Sequence, residues 1–202
     1  MRRIEGLASL VTKGAKVIDV GTDHAYLPVY LYTHGITHKV AGSDISSSVL
    51  KYSLQNLKKY HLDDKIPLYL SNGFLSIHDN FDEAVISGMG TDTIINILSI
   101  ASLPQKLIIC SHNNHYALRK FMQEKGYKIQ KEIVIKDKKK YYDMIKYEKK
   151  EEHLSEYELL VGKHENLEYT NYLLNKYQKL YENSHNEKYL HFINVIEKTL
   201  AD

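Results

Sequence analysis

Short apolar runs and amphipathic stretches alternate along the first 150 residues. Val17–Val20, Val40–Asp44, Leu68–Leu70, Glu83–Ser87 and Lys106–Ser111 have the length and bounding residues of buried strands. Between them, helical spacing predicts helices over residues 4–12, Tyr26–Tyr32, Ser46–Tyr60, Asp92–Leu103 and Tyr116–Lys125. Pro28 falls in a first turn, where its missing N–H has no partner to lose. The serines from Ser46 supply a cap, and Val49, Leu50, Leu54 and Leu57 share one face. Pro104 and Gly126 are expected to stop the last two helices. Ile129–Lys136 and Tyr141–Tyr147 alternate in polarity like the two arms of a hairpin.

Regular alternation of strand and helix predicts an α/β fold, with mostly parallel strands and helices on both faces. The terminal hairpin adds antiparallel strands at one edge and completes a seven-stranded, doubly wound sheet. After about residue 155 the pattern changes. Leu167, Leu174, Tyr177 and Tyr181 follow helical spacing, as do Tyr189, Ile193, Ile196 and Leu200, and Asn183-Ser184-His185-Asn186 separates the two sets. This predicts an antiparallel helical hairpin. The expected division is a Rossmann-like unit over residues 1–152 and a helical unit over 153–202. The tail is expected either to grip a substrate, leaving the sheet able to fold without it, or to cap the sheet edge.

The chain of 202 residues, 43% hydrophobic, has enough apolar material for a packed core. Its single cysteine, Cys110, excludes an internal disulfide and fits a reducing compartment. No apolar run reaches membrane-helix length, and the N-terminal apolar stretch is too short for a signal peptide. A cytoplasmic protein is expected. The net charge of +2 is not the footprint of a general nucleic-acid binder. Lysines are nonetheless dense from Lys136 to Lys150, as a phosphate-binding patch or a solvated hairpin tip.

In such a sheet, ligands bind beyond the carboxyl ends of the strands. The first strand end carries Asp19, Gly21, Asp23, His24 and Tyr26. One glycine, where a dinucleotide site has three, suits a ligand without a pyrophosphate, and S-adenosylmethionine is such a ligand. The second strand ends in Asp44-Ile45, with the acid about 20 residues beyond the first turn, where it can take ribose hydroxyls. The third offers Asn72-Gly73 for an adenine edge. The fourth offers Gly88-Met89-Gly90, where backbone can approach a ligand and Met89 can pack on a ring. His112 and His115 follow the fifth strand without a cysteine or carboxylate at ligand spacing, so no metal site is expected. Cys110 lies in an apolar run and reads as core.

Asp19-Val-Gly-Thr-Asp-His-Ala-Tyr-Leu-Pro28, Ser87-Gly-Met-Gly90, Asn113 with His115, and Tyr142-Asp143 together resemble the TrmK family. These are bacterial tRNA adenine N1-methyltransferases acting at position 22, and the resemblance runs nearly the full length. It implies a class I S-adenosylmethionine-dependent methyltransferase fold with a C-terminal helical coiled-coil hairpin, tRNA as substrate and no metal in the transfer. It also implies that Arg3 reaches the cofactor carboxylate. The chain departs from the family pattern at Asn72, where an acid is common, at Thr91, where Gly is common, and at Ser111-His112 in place of Gln-Pro.

Adenine N1 carries a lone pair at neutral pH, so it needs exposure and alignment rather than a base. Transfer moves positive charge onto the ring, which Asp23 and the face of Tyr26 are placed to favour. Tyr26 can equally wall the methyl channel, and Asn113 can bond the adenine edge. Tyr26, Asp23 and Asn113 are therefore the expected catalytic residues. Extracting the base from folded tRNA costs a few kcal/mol. Two other functions fit the same fold: a methyltransferase for a small molecule or a protein, and a non-catalytic RNA-binding module.

Overall fold

The structure, a computed structural model, describes residues 2–100 and 102–201. β1 (Val17–Val20), β2 (Val40–Asp44), β3 (Leu68–Leu70), β4 (Glu83–Met89) and β5 (Lys106–Ser111) pair in parallel. β6 (Tyr127–Asp137) and β7 (Lys140–Lys149) form an antiparallel hairpin, and β7 docks antiparallel on β5. The sheet order is β3-β2-β1-β4-β5-β7-β6. The order turns back at β1, and β1 and β4 diverge there to opposite sides, which opens a crevice above their carboxyl ends.

Alternating strand residues feed two cores. Val17, Val85 and Ile108 face the layer of α1 (Arg2–Leu10), α2 (Tyr26–Thr33) and α3 (Ser47–Lys59). Ile18, Ile86 and Ile109 face α4 (Thr91–Ser99) and α5 (His115–Glu124). Each such fully buried side chain stabilises the fold by about 1.5–3 kcal/mol. α3 departs from its expected face. Leu54 is exposed, and the buried stripe instead runs through Ser53 and Leu57, because Ser53 is used as a hydrogen-bond donor to the first turn. α4 ends at Ser99, short of Pro104: the Ser99 hydroxyl bonds back to the Ile95 carbonyl, and Ile100 is left exposed.

A buried ion pair fixes α1. Lys146 donates to Glu83 at 2.7 Å, to the Thr12 hydroxyl at 2.7 Å and to the Leu10 carbonyl at the helix end at 2.8 Å. All three ammonium protons are used, so this charge is compensated as a buried charge must be. At the middle of α1, Gly6 lies against the hairpin. A Cβ there would meet the ends of the Ile135 and Met144 side chains, which would have to shift to admit it.

The tail holds three helices. α6 (Glu156–Leu160) was not expected; it is too short for a periodic signal, and Ser155 with Glu158 forms a capping box at its start. α7 (Leu167–Ser184) and α8 (Glu187–Ala201) make the expected hairpin, turning at His185 in a left-handed conformation. The three tail helices pack on α5 and the β6–β7 hairpin through Leu160, Val161, Tyr169, Leu173, Phe192 and Ile196, joined by Tyr116, Val134 and Tyr141.

Beneath that seam lies a second ionic cluster. Arg119 donates to Glu132 and to Asp143, each at 2.5 Å, and reaches the Leu159 and Val161 carbonyls of the tail at 3.4 and 3.2 Å. Glu132 also accepts the backbone N–H of Lys163. Burial pushes both carboxyls upward, against the pull of Arg119.

The lysine-rich stretch disperses in three dimensions. Lys146 is buried, Lys136 pairs with Glu168, and Lys149 lies over the Tyr127 ring. Lys138, Lys139 and Lys140 stay exposed at the hairpin tip.

Candidate active site

Two cavities meet above the carboxyl ends of β1, β2 and β4. One, of about 350 Å³, is lined by Arg3, Asp19, Gly21, Asp23, Tyr26, Asp44, Met89 and His112, among others. The second, of about 490 Å³, is lined by Asp44, Ile45, Asn72, Gly73, Met89, Ile97 and Ile100, among others. Gly21, Asp44 and Met89 border both, so they form one continuous trough with a charged end and an apolar end.

The turn after β1 is unusual backbone held from outside. Gly21, Asp23 and Ala25 all have positive φ, at 75°, 51° and 56°. Two of these are not glycine, which is strained conformation and needs support. α3 supplies it: Ser53 donates to the Asp23 carbonyl, and Asn56 donates to the His24 carbonyl at 2.8 Å. The end of the Met89 side chain lies where a Cβ on Gly21 would sit, so the glycine serves its own positive φ and leaves room for Met89.

Asp19 is buried beneath the charged end and accepts from the Thr22 hydroxyl at 2.7 Å. Burial raises its pKa to about 6; the Thr22 hydrogen bond and then Arg3 pull the other way. Asp44 has one oxygen fixed by the Ser46 N–H at 2.9 Å. Its other oxygen is available to a ligand on the trough floor. Ile45 is 66% exposed at the apolar end, a large side chain left in water unless a ring covers it. Gly73 has a φ of 57° and lies against Ile97. A β-bulge between Ser87 and Met89, with Gly88 at a φ of 82°, carries Met89 into the trough.

Tyr26 is 53% exposed on the charged cavity, beside Asp23. The structure brings together Arg3, Asp19, Gly21, Asp23, Tyr26, Asp44, Ile45, Asn72, Gly73, Gly88 and Met89. It does not bring His24, Gly90 or Asn113 into the lining of either cavity. His24 sits behind Tyr26, its ring 5.4 Å from that of Tyr26 and 6.0 Å from that of Tyr52. Gly90 is the N-cap of α4, and the Asn113 side-chain oxygen Oδ1 accepts the Thr91 N–H. His115 turns away from the trough, toward Tyr169 OH and the Ser111 carbonyl, each at 3.2 Å. Burial pushes its pKa down to about 4. Burial likewise pushes the Cys110 thiol up to about 12, as a core cysteine requires.

Sequence reasoning missed Thr22, Val49, Ile97 and Ile100 as lining residues. Thr22 lay inside the first motif and was readable there. Ile97 and Ile100 carried no signal, because a residue on an apolar helix face looks like core until the sheet places it. His112, weighed only as a metal ligand, lines the charged cavity.

Residues 1–145 match the methyltransferase domain family. A Mycoplasma genitalium protein assigned as a tRNA methyltransferase is 30% identical over 154 residues, covering 73% of this chain and 69% of that protein. The solved structure of Mycoplasma capricolum TrmK, in complex with the cofactor product S-adenosylhomocysteine, is 32% identical. It superposes with a TM-score of 0.85 over 98% of this chain and 95% of that one. A Streptococcus pneumoniae protein assigned as a tRNA (m1A22) methyltransferase, in complex with S-adenosylmethionine, is 26% identical with a TM-score of 0.86. There the coverage is 99% of both chains.

Proposed function

The chain belongs to the TrmK family of methyltransferases, and from that premise we propose that it methylates N1 of adenine 22 in tRNA, with S-adenosylmethionine as the donor. The observation that carries this is the trough, with a charged end, a carboxylate at the middle and an apolar end, matched in order to methionine, ribose and adenine. The trough fits the group on chemical grounds. Arg3 suits a carboxylate and Asp19 an ammonium. The free oxygen of Asp44 suits a ribose hydroxyl, and Ile45, Ile97 and Met89 suit the faces of a purine.

The cofactor supplies an electrophilic methyl group on a cationic sulfur. The residues of the chain do the rest by placement. Gly21 and Met89 narrow the centre of the trough, where they would hold the middle of the cofactor beside the lip formed by Asp23 and Tyr26. The Tyr26 ring, exposed at that lip, offers an extruded base a stacking face. Asp23, also exposed there, favours the positive charge that the base acquires. Because N1 already holds a lone pair, no residue has to remove a proton before attack.

The tRNA surface begins at the same lip. Arg3 lines the cavity and lies 5.9 Å over the Tyr142 ring, while Arg2 reaches the Lys136 carbonyl at 3.5 Å. Lys138, Lys139 and Lys140 continue the cationic path along the hairpin tip. These side chains suit phosphates on the strand that carries the target base. Among the described residues no helix is long and apolar enough to cross a membrane, and we place the activity in the cytoplasm, with tRNA. The test is a nucleoside map by mass spectrometry after incubation with unmodified tRNA and the cofactor. N1-methyladenosine at position 22 is the expected product. Methylation at another nucleotide, or of proteins or metabolites only, overturns the reading.

A further inference from the structure

Three rings in contact leave the trough at its lip. Tyr26 lines the charged cavity, and the His24 ring lies 5.4 Å from it. The Tyr52 ring, on α3, lies 6.0 Å from that of His24. Tyr52 is 56% exposed and lines neither cavity of the trough. A single aromatic ring on a surface needs no explanation. A connected row of them at the mouth of a site is a patch of the kind that meets a partner.

The row is held from behind. Ser53 donates to the Asp23 carbonyl and Asn56 to the His24 carbonyl. Tyr52 precedes Ser53 and stands one helical turn before Asn56, on the same face of α3. The helix that supports the first turn therefore also presents Tyr52. Lys59 continues this face two turns after Tyr52 and is exposed. At the other end of the row, Asp23 lies 3.7 Å from His24. The row runs from an acid, beside the site where a base becomes cationic, toward a cation that suits a phosphate.

We propose that His24 and Tyr52 form a stacking platform for the nucleotide next to the target adenine. This rests on the tRNA reading above and gives α3 a part in holding the RNA. When the target base is drawn to Tyr26, its neighbour in the strand loses a stacking partner, and an aromatic face replaces it. Stacking uses the face of a base and not its edge, so the platform adds affinity without reading sequence. Lys59 takes a phosphate farther along the same strand.

Tyr52→Leu keeps apolar bulk without a ring, and Tyr52→Phe keeps the ring. Affinity for unmodified tRNA should fall roughly tenfold in Tyr52→Leu, within the range for one stacked base, and stay near wild type in Tyr52→Phe. Cofactor affinity and melting temperature should not move in either, because the ring is exposed and outside the cavities. The salt dependence of tRNA binding should keep its slope in Tyr52→Leu, whereas Lys59→Gln should lower it by about 0.7–0.9. A fluorescent 2-aminopurine on the 5′ or the 3′ side of the target gives a local readout. At one of these positions it should stay quenched on wild type and Tyr52→Phe and brighten on Tyr52→Leu. Unchanged tRNA affinity in Tyr52→Leu, or equal brightness with all three proteins at both positions, overturns the platform. Methylation by wild type is scored separately. Absence of N1-methyladenosine together with ring-dependent tRNA affinity sinks the functional reading and leaves the RNA contact standing; methylation with ring-independent affinity sinks the platform alone.

Discussion

The carboxyl end of the sheet and the seam beneath the tail are both rich in charge, and they use it in opposite ways. At the trough, Asp23 is exposed and Asp44 keeps an oxygen unbonded, while the buried Asp19 has one hydroxyl partner. At the seam, Arg119, Glu132 and Asp143 are buried and committed to one another and to the tail backbone. Uncommitted charge is free to meet a ligand; committed charge holds elements together. Neither function can be read from charge alone, because the same residue types serve both.

The largest test of this contrast is removal of the tail. A chain ending at Glu152 loses Leu160, Tyr169, Phe192 and Ile196 from the seam under the tail and uncovers Arg119. It should fail to melt cooperatively and should bind cofactor poorly or not at all. A soluble fragment that titrates with S-adenosylmethionine like the full chain in calorimetry would show that the seam is a docking contact rather than part of the fold.

Arg119→Met should come next. It leaves two carboxyls buried without their cation, a loss of about 3–5 kcal/mol, and the melting temperature should drop accordingly. Cofactor affinity at a temperature where the variant is folded should be nearly unchanged. If affinity falls as steeply as stability, the two regions are coupled and the contrast breaks.

Asp44→Ala should do the reverse. Losing the ribose contact costs about 1–3 kcal/mol, or roughly ten- to a hundred-fold in cofactor affinity, with a melting temperature close to wild type. Calorimetry is the measurement, and unchanged affinity would remove Asp44 from the site.

The smallest effect is a pH dependence at Asp19. Burial raises its pKa to about 6. A ligand ammonium needs the ionised form, so cofactor affinity should be full above this value and decline as pH falls through it. Asp19→Asn should bind more weakly but with a flat profile between pH 5 and 7. For stability the sign is opposite: the folded state holds this proton more tightly than the unfolded state does. Asp19 therefore subtracts stability as pH rises from about 4 to about 6.

Much of the molecule follows from local pattern. β1, β2, β3 and β5 begin and end where apolar runs and turn residues place them; for the inner strands this is because a strand covered on both faces is largely apolar. The acids and glycines at the strand ends were legible for a related reason: the parallel order of a doubly wound sheet brings those ends to one edge whatever the details of the helices. Ser53 carries no signal of its own in the sequence, and only the packing of α3 makes it the support of the Asp23 turn. Lys146 and Asp143 looked like members of a charged hairpin, and only tertiary structure buries them, one against Glu83 and the other against Arg119. A charged side chain carries no mark of its partner when that partner lies 24 or 63 positions away. The periodicity of the chain determined which elements form. Distance in space, which loop closure sets and sequence spacing does not, decided which charges are held in the fold and which are left open to a ligand.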